Sequence, residues 1–180
     1  MQSRQVLIVS VLLLFGLVGF YTFSSKDLHL TKDLDAKPND LIPKTLLNPQ
    51  GKEVSSGILK GKYVGLYFSA SWCGPCRSFT PKLIDFRNKH VEKFEVILIG
   101  GDGTSKDQMN YVKKYQMPWL SMVNQSDKAK QANKNLDVEF IPYLVILDPN
   151  GNVVSKDGVK EVRSLKNKAM DLWQSKHQGI

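Results

Sequence analysis

Apolar positions occur along this chain in three patterns, and each predicts a different element. Val6 to Phe23 is a continuous run of 18 residues without a charge. As a helix it would be about 27 Å long, close to the roughly 30 Å hydrocarbon core of a bilayer. Shorter runs of consecutive apolar residues, Tyr63 to Ser69, Phe94 to Ile99 and Leu144 to Leu147, are what strands buried on both faces require. Between them lie segments of helical spacing: Phe79, Leu83 and Phe86, then Ala129, Ala132 and Leu136, and finally Val162, Leu165, Ala169, Leu172 and Trp173. Pro81 falls inside the first and predicts a bend there. Ser105-Lys106-Asp107-Gln108 has the form of a capping box and predicts a helix through Tyr115.

Turn residues supply the punctuation. Asn48-Pro49-Gln50-Gly51 separates Thr45-Leu46-Leu47 from Lys52-Glu53-Val54, and Asp148-Pro149-Asn150-Gly151 precedes Asn152-Val153-Val154, so both read as hairpins. Leu28 to Asp40 is polar with mixed charges and reads as a tether. The expected organisation is therefore an N-terminal signal-anchor or signal peptide over 1–25, a tether over 26–40 and a folded domain over 41–178. Alternating strands and helices with a hairpin at the end imply an α/β domain, a central mixed β-sheet with helices on both faces, preceded by the N-terminal hydrophobic helix.

The leader has two membrane-associated readings, with a buried helix of the soluble domain as the third. An uncleaved signal-anchor is the first, since no Ala-x-Ala follows the apolar core and Thr22 with Ser24 makes a mediocre cleavage site; a cleaved signal and secretion is the alternative. Either places the folded domain outside the cytoplasm, on the periplasmic side if the protein is bacterial. Composition changes this picture little. A hydrophobic fraction of 42% and a charged fraction of 23% are those of an ordinary globular protein. The net charge of +8 is spread over lysines that interleave with acids and amides, which reads as a solvated surface rather than a nucleic-acid interface.

The candidate chemistry lies in one stretch, Ser69-Ala70-Ser71-Trp72-Cys73-Gly74-Pro75-Cys76-Arg77. It holds both cysteines of the chain, where a strand ends and a helix begins. At such a junction a thiolate is stabilised by helix N-terminal N–H groups, so a dithiol there can be made reactive. Two thiols cannot complete a four-ligand zinc site, and His29, His90 and His177 are scattered, so no metal is expected. Gly100-Gly101-Asp102-Gly103 follows a strand but has neither the spacing nor the Gly-Lys-Ser/Thr ending of a phosphate loop.

Trp72-Cys73-Gly74-Pro75-Cys76, Pro81 five residues further on, and Ile141-Pro142 before a late strand resemble the thioredoxin fold. Within it, the segments Tyr67 to Cys73, Phe79-Thr80-Pro81-Lys82-Leu83, Met117-Pro118-Trp119-Leu120 and Leu144 to Asp148 resemble the tryparedoxin and nucleoredoxin branch. That branch usually has proline where Gly74 stands. Thioredoxins usually carry a buried aspartate at the position of Tyr67, and threonine at that of Tyr143.

The resemblance implies a thiol–disulfide oxidoreductase that needs no cofactor beyond its own cysteines. Cys73 is expected to attack and Cys76 to resolve, with Gly74 and Pro75 setting the turn and Arg77 adding positive charge. Trp72 is expected to shield the pair, Pro142 to be cis and face it, and Trp119, Ile141 and Tyr143 to line a substrate groove, with core packing the alternative for Trp119. The expected partners are protein disulfides, a membrane thiol reductase as electron donor, and the membrane itself through Val6 to Phe23. The expected direction is reduction; an oxidase or isomerase, or a non-catalytic peptide-binding module, are the alternatives.

Overall fold

A computed structural model describes residues 41–178, so the Val6 to Phe23 segment and the tether lie outside the described residues. Seven strands form one sheet in the order β2-β1-β5-β4-β3-β6-β7. They are β1 (Thr45–Leu47), β2 (Glu53–Ser55), β3 (Tyr63–Ser69), β4 (Phe94–Gly100), β5 (Leu120–Ser121), β6 (Tyr143–Leu147) and β7 (Val153–Ser155). Pairing is parallel for β3 with β4 and β4 with β5, and antiparallel elsewhere, so the sheet is mixed as expected. Every residue of β3 is buried, which is why its apolar residues run consecutively instead of alternating.

Five helices cover the sheet: α1 (Gly74–Lys89), α2 (Ser105–Lys114), α3 (Asp127–Asn135), α4 (Gly158–Leu165) and α5 (Lys168–Gln178). Their buried side chains divide between two cores. Phe79, Leu83 and Phe86 of α1, Tyr111 of α2, Val162 of α4 and Trp173 of α5 pack with Tyr67, Val96, Leu98 and Leu144. Ala129 and Ala132 of α3 pack with Leu66, Phe68, Ile97 and Val145 on the other side. Alternate residues of one strand thus feed opposite cores, the period-two consequence of a sheet covered on both faces. Among the described residues no helix is long and apolar enough to cross a membrane.

Both hairpin turns use the same device. The Asn48 side chain accepts hydrogen bonds from the Gln50 and Lys52 N–H groups, that of Asp148 accepts from Asn150 and Asn152, and Gly51 and Gly151 supply positive φ angles of 79° and 85°. Helix α1 continues through Pro81, which lies on its exposed face.

Two expectations need correction. The cap of α2 is Thr104, one residue earlier than the pattern suggested: its hydroxyl accepts from the Asp107 N–H at 3.1 Å and donates to the Asp107 carboxylate at 2.6 Å. Gln108 is then free to turn inward, where its amide donates to the Met122 carbonyl at 2.9 Å. The closing helix is also two helices. The chain breaks at Lys166, whose φ of 52° lies in the left-handed region, and Leu165 becomes exposed instead of facing the core. Gly158 opens α4 because a side chain could not fit: a Cβ there would lie 2.7 Å from the Leu144 carbonyl oxygen of β6.

Candidate functional site

The parallel register pairs Ser69 with Gly100, so β3 and β4 end together at one edge of the sheet. Antiparallel β6 begins there too, with Tyr143 opposite Phe68. Three connections therefore converge at this edge: the loop into α1, the loop into α2 and the approach to β6. Cysteines, glycine cluster and Ile141-Pro142, far apart in sequence, become neighbours.

Cys73 is the N-cap of α1, with extended backbone, and its sulfur accepts a hydrogen bond from the Cys76 N–H at 3.2 Å. The two sulfurs are bonded, with Cα atoms 5.3 Å apart, inside the range a disulfide needs. Pro75 occupies the first turn of the helix, where the N–H it lacks would have had no helical partner. Gly74 is not imposed by crowding, since the nearest atom to an added Cβ would be the Arg77 guanidinium at 4.0 Å. Arg77 points outward and is exposed.

Cys76 is fully buried; Cys73 is 5% exposed, at the surface edge of the pair. The Sγ of Cys73 lies 3.8 Å from the Ile141 carbonyl oxygen. In the disulfide this is a contact without a proton; in the dithiol the Cys73 S–H could donate to it. The Ile141–Pro142 peptide is cis, and Ile141 packs on Ala70, Cys73 and Cys76. Tyr143 is half-buried, edge-on to Phe140 at 5.6 Å, and burial raises its hydroxyl above the usual tyrosine range.

Trp72 and Trp119 resolve in opposite ways. Trp72, directly before Cys73 in the chain, is 66% exposed and its indole N–H donates to the Gly101 carbonyl at 3.1 Å. Trp119, expected in the groove or the core, is a core residue: it is 1% exposed and edge-on to Tyr67 at 6.3 Å. It follows Pro118 at the entry to β5, in the middle of the sheet order, so its ring is covered.

Sequence reasoning missed what lies behind Cys76. Where thioredoxins usually carry a buried carboxylate, Tyr67 donates to the Cys76 carbonyl at 3.3 Å and meets the Thr80 hydroxyl at 3.0 Å. Thr80 also donates to the Cys76 carbonyl, and its oxygen lies 2.8 Å from the Tyr111 hydroxyl, which in turn meets Ser69 at 3.0 Å. Burial, with Tyr111 second, pushes the Tyr67 hydroxyl well above its ordinary range, so it is a neutral donor. The cluster holds the helix start in place and carries no charge. Asp102 was also missed; buried within the glycine cluster, it accepts from the Ser71 N–H at 3.0 Å and hydroxyl at 2.6 Å. The only signal was an acid among glycines directly after a strand. Among the described residues, no group of three or more His, Cys, Asp or Glu side chains is placed to hold a metal ion.

The Thioredoxin-like family model matches residues 61–153. Tryparedoxin of Trypanosoma brucei is 44% identical over 112 residues, covering 61% of this chain and 76% of that protein. A probable nucleoredoxin of Arabidopsis thaliana is 38% identical over 122 residues, 66% of this chain, which spans only 21% of that longer protein. Among solved structures, a tryparedoxin II in complex with glutathionylspermidine superposes with a TM-score of 0.65 at 34% identity, covering 79% of this chain and 95% of that one. With the cysteine pair at the start of its helix and the thioredoxin fold around it, this chain belongs to the thioredoxin-like family, in company with the tryparedoxins and nucleoredoxins.

Proposed function

We propose that the chain is a thiol–disulfide oxidoreductase that reduces protein disulfides through Cys73 and Cys76. The observation that carries this reading is the asymmetry of the pair, with Cys73 at the surface edge beside the cis Ile141–Pro142 peptide and Cys76 fully buried behind it. In the dithiol state the Cys76 N–H and the first turn of α1 favour a thiolate at Cys73. That thiolate attacks one sulfur of a substrate disulfide and the other leaves as a thiolate. Cys76, deprotonated, then attacks the Cys73 sulfur of the mixed disulfide and the second substrate sulfur leaves. Two electrons pass to the substrate, two protons follow to its thiols, and the Cys73–Cys76 disulfide forms. A dithiol donor must reduce it for the next cycle.

Gly-Pro between the cysteines resembles reducing thioredoxins, near about −270 mV, rather than strong oxidants near about −120 mV. A measured potential above about −150 mV would reverse the direction to disulfide formation. The leader extends the reading. Residues 1–25 anchor the chain in a membrane, 26–40 tether it, and the domain over 41–178 works on the extracytoplasmic side, fed by a membrane thiol reductase. The uncharged length of Val6 to Phe23 supports this. Protease accessibility of terminal tags in spheroplasts or microsomes tests it, and a cytoplasmic C-terminal tag overturns it.

The chemistry is tested by insulin reduction and trapping. Cys73→Ser is expected to abolish turnover. Cys76→Ser is expected to accumulate mixed disulfides on Cys73, and equal activity of wild type and Cys73→Ser would remove catalysis from this site.

A further inference from the structure

An open groove of about 540 Å³ starts at Pro142, the residue after the carbonyl that lies 3.8 Å from the Cys73 sulfur, and runs between β6 and α4. Its apolar part is Phe140, 65% exposed, with Val159 beside it. Its charged part is Lys156, Lys160 and Arg163, against one lining carboxylate, Asp157. The carboxylates gather at one end: Asp137, Glu139 and Asp157 all act on the Tyr143 hydroxyl, and Lys156 leans to Asp137 at 3.9 Å. The cations along α4 are not offset in this way, since neither Lys160 nor Arg163 pairs with a carboxylate among the described residues.

Arg163 is also held in place, its guanidinium 5.3 Å over the Phe79 ring. Beyond it the surface continues into a second depression where Lys82, Lys89 and Lys166 face only Asp85. The groove and this depression share Arg163, and together they are lined by Lys156, Lys160, Arg163, Lys82, Lys89 and Lys166 against the carboxylates of Asp157 and Asp85. This is opposite in sign to what a cationic polyamine conjugate such as glutathionylspermidine, bound by a tryparedoxin II, would need.

We propose that this groove receives an acidic segment adjoining the disulfide of the substrate protein. A large apolar side chain of that segment seats on Phe140 and Val159, and its carboxylates lie over Lys160 and Arg163. The assignment rests on the oxidoreductase reading and names its substrate class. Charge complementarity of this kind acts mainly on the association rate and is screened by salt.

The test uses the reduced protein and three disulfide peptides of equal length, flanked by Asp/Glu with Leu, by Lys with Leu, or by neutral residues, with second-order rate constants measured at low and high salt. The acidic peptide is expected to react on the order of tenfold faster than the lysine peptide at low salt, with the ratio falling toward one at high salt. In a Lys160→Glu, Arg163→Glu variant the ratio is expected to invert, an internal comparison independent of how much of the variant is folded. Equal constants for the charged peptides, or a ratio unchanged in the variant, overturn the proposal while turnover of the neutral peptide leaves the oxidoreductase reading standing. If no peptide is turned over, both fall. Sedimentation with phosphatidylserine vesicles and no preference among peptides would assign the cations to a membrane surface instead.

Discussion

The two flanks of the disulfide are built on opposite principles. Behind Cys76, Tyr67, Thr80, Tyr111 and Ser69 form a closed set of hydroxyls inside an aromatic core, each with a partner and none exposed. In front of Cys73, Trp72 and Phe140 are exposed, and the groove beyond Pro142 opens to solvent. One flank fixes the position of the helix start, and therefore of both sulfurs. The other leaves surface free for a partner. A dithiol that must be both positioned and reachable needs this division, because buried polar groups tolerate no slack while a docking surface must stay uncovered.

Substitution of the two tryptophans separates the flanks most strongly. Trp119→Ala empties a core site and is expected to cost about 3–5 kcal/mol of stability, read as a shift in the denaturant midpoint at constant m-value. Trp72→Ala removes an exposed ring and is expected to change stability by less than about 0.5 kcal/mol while slowing reaction with protein disulfides. Equal destabilisation by both would erase the distinction.

Within the closed flank, Thr80→Val removes one hydrogen bond each from Tyr67, Tyr111 and the Cys76 carbonyl, leaving only the Tyr67–Cys76 and Tyr111–Ser69 bonds of the cluster. The expected loss is about 1–3 kcal/mol, with a changed Cys73–Cys76 potential in a thiol redox titration because the helix start is no longer held. A neutral result would mean that the hydroxyl cluster positions nothing.

A smaller effect concerns α4, which carries the cations of the open flank and is fastened to the closed one through Glu161. Burial alone would raise the Glu161 carboxyl, but hydrogen bonds from Ser155, Trp173 and Lys176 outweigh it and hold it below its ordinary 4.5. A carboxylate depressed in the folded state contributes stability that is present above its unfolded value and lost as pH falls through its folded one. The thermal midpoint of wild type is therefore expected to decline below about pH 4.5 more steeply than that of Glu161→Gln. Parallel pH profiles would detach Glu161 from the stability of α4.

Legibility in the sequence follows the range of the interactions. The cysteine pair, both hairpins and the three buried strands were readable because each is encoded within a few residues, by spacing, turn chemistry or a continuous apolar run. The break at Lys166 was not, since Val162, Ala169 and Trp173 keep one helical phase across it and a lysine gives no sign of a positive φ. Thr104 and Ser105 can both cap a helix, and only the inward turn of Gln108 decides between them. Trp72 and Trp119 are each next to a residue that shapes a loop, and their opposite fates depend on which neighbours the sheet order supplies. The hydroxyl cluster joins residues 67, 69, 80 and 111, and no local pattern links a tyrosine in one strand to a threonine and a tyrosine in two helices.

The asymmetry of the disulfide is tested most directly by alkylating the fully reduced protein with iodoacetamide and mapping the label over time by mass spectrometry. Cys73 is expected to be carboxamidomethylated and Cys76 to remain unlabelled while the protein is folded, becoming reactive only in denaturant. Labelling of Cys76 at a rate comparable to Cys73 in the native protein would contradict the account.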